Sequence, residues 1–204
     1  MPSQTIQRPG SLARCLVPLA TALVLTATAA AGSVLSLGPR TLQTLIAEQL
    51  FNQRGRWYLI DDGGVCFTYL DSPRVRLETD RVVLDAHLSS RLGQRIGDSC
   101  AGAVFASNVT LSAKLHGTEH KLTLDDIRID RVDDEATRNA LDLALQLDPR
   151  VLPRTASIDV FEFMQKLMAS TAAPPPHVEQ FRISNIAAHS DAVVIQFDLS
   201  LKAP

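Results

Sequence analysis

Aromatic side chains are scarce in this sequence, only 5% of 204 residues, so stacking platforms for bases or sugars cannot dominate a binding surface. Neither sign of charge prevails. Twenty Lys and Arg stand against 22 Asp and Glu, for a formal charge of −2. A dedicated nucleic-acid binder shows a basic face and usually a high pI, so no nucleic-acid partner is expected. Cysteine is limited to three residues, none in a C-x-x-C pair, which argues against a redox-active dithiol or a zinc module. No repeat of fixed period and no domain-scale linker is visible. No catalytic signature stands out either, so the expectation is a binding module, not an enzyme, with no cofactor.

The first 40 residues are distinctive. Arg8 and Arg14 are the only charges before Arg40, and Cys15 to Pro39 run uncharged. The apolar stretch Leu16 to Leu25 ends in the small residues Thr26 to Ser33. A positive n-region, a short apolar h-region and an A-x-A site make a secretory signal peptide over 1–31, with one domain from 32 to 204. The competing reading is an uncleaved anchor, because 25 uncharged residues can span a bilayer and would hold the chain at the inner membrane. Lipoprotein processing does not fit, since Cys15 follows Arg14 and precedes the apolar run. Removing the leader deletes two Arg and no acid, leaving 18 basic against 22 acidic residues. It also leaves one cysteine pair, Cys66 and Cys100. In an oxidising, periplasmic or secreted setting such a pair is most simply a disulfide; the competing reading is two unrelated buried thiols.

Beyond the leader the periodicities are readable. Leu42, Leu45, Ile46, Leu50 and Phe51 fall on one stripe of a helix over 41–51, with Pro39 tolerated in its first turn. Period-two alternation marks strands at Arg81–Leu88, Val109–Leu115 and Val193–Leu201. Weaker strands are expected at Val65–Leu70, Arg74–Glu78, Lys121–Ile129 and Gln180–Ile186. Asp133-Asp134-Glu135 starts a second helix through Leu147, which Pro149 stops. Ile158, Phe161, Met164, Leu167 and Met168 fit a third, although Ile158–Val160 could begin as a strand. Asp61–Gly64 reads as a turn, and Thr171–Pro176 as a rigid connector. No long helices alternate with the early strands, which excludes a doubly wound parallel fold.

Three segments carry a family resemblance. They are Ser36-Leu37-Gly38-Pro39-Arg40-Thr41-Leu42 leading into Leu45-Ile46-Ala47, Leu70-Asp71-Ser72-Pro73-Arg74-Val75-Arg76-Leu77 running into Asp80–Leu84, and Phe181-Arg182-Ile183 followed by Asp191–Ile195. In these the chain resembles the YceB-like periplasmic lipoproteins, whose fold is half of the tubular lipid-binding (TULIP, BPI/SMP-like) architecture. The resemblance implies an α+β fold in which a highly curved antiparallel sheet wraps around one or two long helices. It also implies an apolar or lipid ligand between helix and sheet. The absent lipobox departs from the family pattern and puts the tether in doubt. Candidate groove liners are Leu42, Leu45, Ile46, Phe51, Leu84, Leu145, Phe161, Met164, Met168 and Phe197. Adaptable methionines and the small Ala136, Ala140 and Ala144 favour an open groove.

Several constellations spell chemistry without the context it needs. His116-Gly117-Thr118-Glu119-His120 matches H-x-x-E-H, but zinc hydrolysis needs that pattern on a helix, and here it falls between two strands as a hairpin tip. Asp61-Asp62, Asp125-Asp126 and Asp133-Asp134 lack the spaced calcium-loop pattern and read as turns and helix starts. Asp85, His87 and Ser89-Ser90 lack a nucleophile elbow. Arg74, Arg76 and Arg81 form a small basic patch, read as a solvated strand face or as a contact for an anionic headgroup or partner. No metal site is assigned. Two functions from different classes result. One is a periplasmic carrier of an apolar ligand. The other is an envelope adaptor with a filled core that acts through its surface.

Overall fold

A computed structural model of the chain describes residues 32–60, 64–171 and 177–202. The leader expected over 1–31 lies outside the described residues, as do positions 61–63 and 172–176 of the expected turn and connector. The elements run β1 (Ser33–Leu37), α1 (Pro39–Gln49), β2 (Arg56–Ile60), β3 (Phe67–Glu78), β4 (Arg81–Ile96), β5 (Ser99–Thr118) and β6 (Lys121–Val132). There follow α2 (Glu135–Leu147), a short 3-10 turn (Pro149–Val151), β7 (Ala156–Asp159), α3 (Val160–Thr171), β8 (His177–Ala188) and β9 (Val193–Lys202).

The class is α+β. Six strands in the order β2-β3-β4-β5-β6-β7 form a strongly curled, half-barrel sheet, and β1-β9-β8 form a second sheet. Every pairing is antiparallel, as period-two alternation requires when one strand face is covered and the other is wet. On β4 the covered side buries Val82, Leu84, Ala86 and Leu88; on β5 it buries Val109, Leu111 and Ala113. The three helices have 11, 13 and 12 residues, each under about 20 Å at 1.5 Å per residue. They are shorter than the one or two long helices of the expected half-tube. Buried residues from both sheets and all three helices join in one apolar cluster.

Helix boundaries follow local chemistry. Pro39 opens α1 behind an extended Gly38. The Asp134 carboxylate accepts the Thr137 amide at 2.6 Å and starts α2. That bond holds the Asp134 carboxyl below its ordinary range. Asp159, last in β7, accepts the Glu162 amide at 2.9 Å and starts α3. The Gln49 side chain from the end of α1 then covers the free edge of Asp159. Its Oε1 accepts the Asp159 amide at 2.6 Å, and its Nε2 donates to the Asp159 carbonyl at 3.0 Å.

The strands are longer than their alternation predicts. β4 and β5 continue through Ser89 to Asn108, joined by a two-residue turn at Gly97-Asp98 with Gly97 at φ 59, a tight-turn position that suits glycine. β4 pairs with β3 only as far as Arg91, and β5 pairs with β6 only from Val109. The tip therefore projects as a two-stranded arm, with Ile96 and Val104 62% and 70% exposed. A disulfide between Cys66 and Cys100 ties the arm to the start of β3, with Cα atoms 5.3 Å apart. Such a ribbon alone is marginally stable, so the staple matters.

Candidate functional site

The helix-covered face holds the ten expected groove liners. Leu42, Leu45, Ile46 and Phe51 on or just after α1, Leu84 on β4, Met164 on α3 and Phe197 on β9 are all buried. Leu145, Phe161 and Met168 are half-buried. Phe161, Phe181 and Phe197 form a ring chain, with centroids 5.7 and 5.0 Å apart. Two apolar voids lie between helices and sheet. One, of about 20 Å³, is bounded by Ile46, Trp57, Leu84, Leu111 and Leu124. The other, of about 10 Å³, is bounded by Leu59, Leu88, Leu141 and Val151. Each has room for about one water. A wider concavity of about 270 Å³ opens between α2 and β6, lined by Ile127, Ile129, Arg131, Arg138, Leu141 and Leu145. The space behind α1 is closed to small voids, while beside α2, where Leu145 sits, it stays open.

The outer face is different. Residues alternate with the buried set, so Asp85 and His87 on β4 and Asn108 and Thr110 on β5 point away from the helices. In register, Asp85 faces Thr110 and His87 faces Asn108. The neighbouring strands each carry an extra residue at this level. β3 bulges between Asp71 and Arg74, where Ser72 sits at φ 53, and β6 bulges between Ile129 and Arg131. Bulges bend and twist a strand, and they recur beside functional sites. The result is an open basin of about 410 Å³ lined by Ser72, Arg74, Asp85, His87, Thr110 and Arg131, with Asn108 and Asp133 at its side.

Charges in the basin are mostly paired. The Arg76 guanidinium donates to Asp85 at 2.9 Å through Nε and at 3.4 Å through Nη2, and the Thr110 hydroxyl adds a bond at 2.8 Å. Arg76, then Thr110, holds the Asp85 carboxyl below the usual carboxylate range against partial burial. Arg131 meets Asp133 at 2.7 Å, and Asn108 Nδ2 donates to the same carboxylate at 3.4 Å. Nδ1 of His87 is 3.4 Å from Asn108 Oδ1. The Arg74 side chain lines the basin with no ion pair or side-chain hydrogen bond among the described residues. The basic patch read from sequence is thus divided: Arg76 pairs with Asp85 and Glu78, Arg81 with Asp126 and Ser112, and Arg74 remains.

The other constellations take structural places. His116 ends in β5 and His120 lies in the β5–β6 turn, with Glu119 at φ 49, so the H-x-x-E-H residues sit on a hairpin tip. His116 approaches Asp125 at 3.7 Å and His120 approaches Asp159 at 3.7 Å, two separate contacts. Ser90 is buried against Thr68, 2.7 Å between hydroxyls, on the opposite face from Asp85 and His87. Ser90 therefore does not converge with Asp85 and His87; Ser89 shares their face, but no side-chain hydrogen bond among the described residues joins it to either. Sequence reading found Arg74, Asp85 and His87 but not their partners Asn108, Thr110 and Arg131 as one site. The Gly97-Asp98 turn was the signal, because a two-residue loop there fixes every β4–β5 partner.

No family model matches this chain, and no curated protein matches it. No helix among the described residues is long and apolar enough to cross a membrane.

Proposed function

We propose that this is an extracytoplasmic, non-enzymatic envelope protein that works through its surface, with its core filled by its own side chains. The observation that carries the reading is the contrast in free space: 10–20 Å³ in the apolar voids under the helices against about 410 Å³ on the outer face, with about 270 Å³ in an open concavity at the α2–β6 edge. A small-molecule site is ordinarily a concavity of roughly 300–1,000 Å³, and the outer-face basin falls within that range. The Cys66–Cys100 disulfide supports an oxidising compartment, which fits the signal-peptide reading of residues 1–31.

The carrier reading is the second proposal, and one observation favours it. Phe161, Phe163, Leu167 and Met168 on α3 are all half-buried, so an apolar ligand entering beside this helix would meet a partly open apolar rim. That version keeps the lipid-binding tube implied by the YceB-like resemblance, and it requires α3 to move before a chain fits.

Intact mass spectrometry of protein recovered from the periplasm under native and denaturing conditions tests both readings. The surface reading expects a chain shortened near Ala29 to Ala31, two hydrogens lighter than its dithiol form, with no stoichiometric lipid. A lipid released on denaturation would replace it with the carrier reading, and free thiols would remove the support for export.

A further inference from the structure

We propose that the outer-face basin binds an oxyanion borne by a small hydrophilic molecule, with Arg74 as its charge anchor. The inference goes beyond the surface reading and does not depend on whether the core admits a ligand.

Shape comes first. A flat antiparallel sheet offers no concavity on its outer face. This sheet has one because both neighbours of the β4–β5 pair insert a residue at the same level, at Ser72-Pro73 on β3 and Asp130 on β6. Ser72 holds a left-handed backbone, φ 53, that a residue with a Cβ adopts at a cost. Pro73 adds a fixed φ and no amide donor, so the bulge is built into the sequence.

Charge comes second. Both carboxylates lining the basin are already neutralised, Asp85 by Arg76 and Thr110 and Asp133 by Arg131 and Asn108. Arg74 therefore contributes the uncompensated charge, and it is positive. Its guanidinium is a planar fork suited to two-point contact with a carboxylate or a phosphate. Beside it stands the Ser72 hydroxyl, able to donate to an anion, with the Thr110 hydroxyl already donating to Asp85 and the His87 ring facing Asn108. A cation would be repelled by Arg74 and would have to break an existing ion pair to reach either carboxylate. An apolar ligand would leave Arg74 and the Ser72 hydroxyl unpaired.

The test uses the mature chain, its disulfide intact, titrated at constant ionic strength with inorganic phosphate and, separately, with D-glucuronate. Amide chemical shifts are followed by NMR. The expected result is saturable movement of the Arg74, His87, Asn108 and Thr110 signals with at least one probe, at millimolar affinity. The probe that binds identifies the phosphate or carboxylate source. Arg74→Gln should weaken that binding at least about tenfold, since a charge-assisted bond is lost. Arg74→Lys, which keeps the charge and loses the fork, should fall between. Arg95→Gln removes the same charge from the arm and should change nothing. Saturation by neither probe would overturn the proposal, as would equal binding by parent and Arg74→Gln with unchanged melting temperatures.

Discussion

The two faces of the six-stranded sheet come from the same residues in alternation and end in opposite conditions. Behind the helices, alternate residues of β3, β4 and β5 are mostly apolar, with Thr68, Ser90 and Ser107 buried among them, and the helices close over them to voids of 10 and 20 Å³, with a concavity of about 270 Å³ left at the α2–β6 edge. On the outer face, bulges in β3 and β6 open about 410 Å³ among charged side chains. Regular strands packed on helices bring their side chains to close-packed density. Irregular strands on a wet face have no such pressure, and a single inserted residue leaves a concavity. A pattern of apolar residues identifies an interior without saying whether it is empty, while the exposed irregularities show where room persists.

Several changes can break or sharpen this contrast. The largest concerns the staple between arm and sheet. Cys66 and Cys100 are 34 residues apart, and losing a loop closure of that length costs roughly 3–4 kcal/mol in the chain-entropy model. Denaturant melting of Cys66→Ser/Cys100→Ser beside the parent should show that loss. Next comes the closed interior. Leu45 is 1% exposed, and Leu45→Trp should overpack it by about 1–3 kcal/mol. An open groove would absorb the indole at little cost. Gln49→Ala should lose about 1–3 kcal/mol, because it strips the Asp159 amide and carbonyl of their partner. Asp85 gives the smallest effect, since its pair with Arg76 is largely exposed. Its carboxyl titrates below the ordinary value in the folded protein, so its contribution is present above the unfolded carboxylate range and fades as pH falls through the folded value. Asp85→Asn should lower stability slightly in the neutral region and leave it nearly unchanged in acid, which flattens the acid limb of a stability–pH curve.

Much of the fold was legible because it rests on local rules. Leu42, Leu45 and Ile46 at helical spacing, Asp134 before α2, and the alternation of Val82, Leu84, Ala86 and Leu88 each carry their structure in a few adjacent residues. The arm was not legible, since Gly93, Gln94, Arg95, Gly102 and Ala103 show neither period. They are strand because each pairs with the other strand of the hairpin, a contact that a residue's immediate neighbours do not encode. β2 was missed for a related reason. Arg56 follows the polar Asn52–Gly55 segment, and pairing with β3, together with the Arg56 guanidinium 4.3 Å over the Tyr69 ring, holds it in place. Of the ten candidate groove liners seven are buried and three half-buried, and whether any of them lines a space depends on how closely three helices approach. The outer basin depended on two bulges, and a bulge shifts register without leaving a periodic trace.

The most direct measurement of the contrast is titration of the mature, oxidised protein with a fluorescent fatty-acyl probe. A filled interior predicts no saturable binding at micromolar probe, and the same absence in Leu45→Trp. Saturable micromolar binding that Leu45→Trp abolishes would contradict it, and would mean that the helices open to admit a chain.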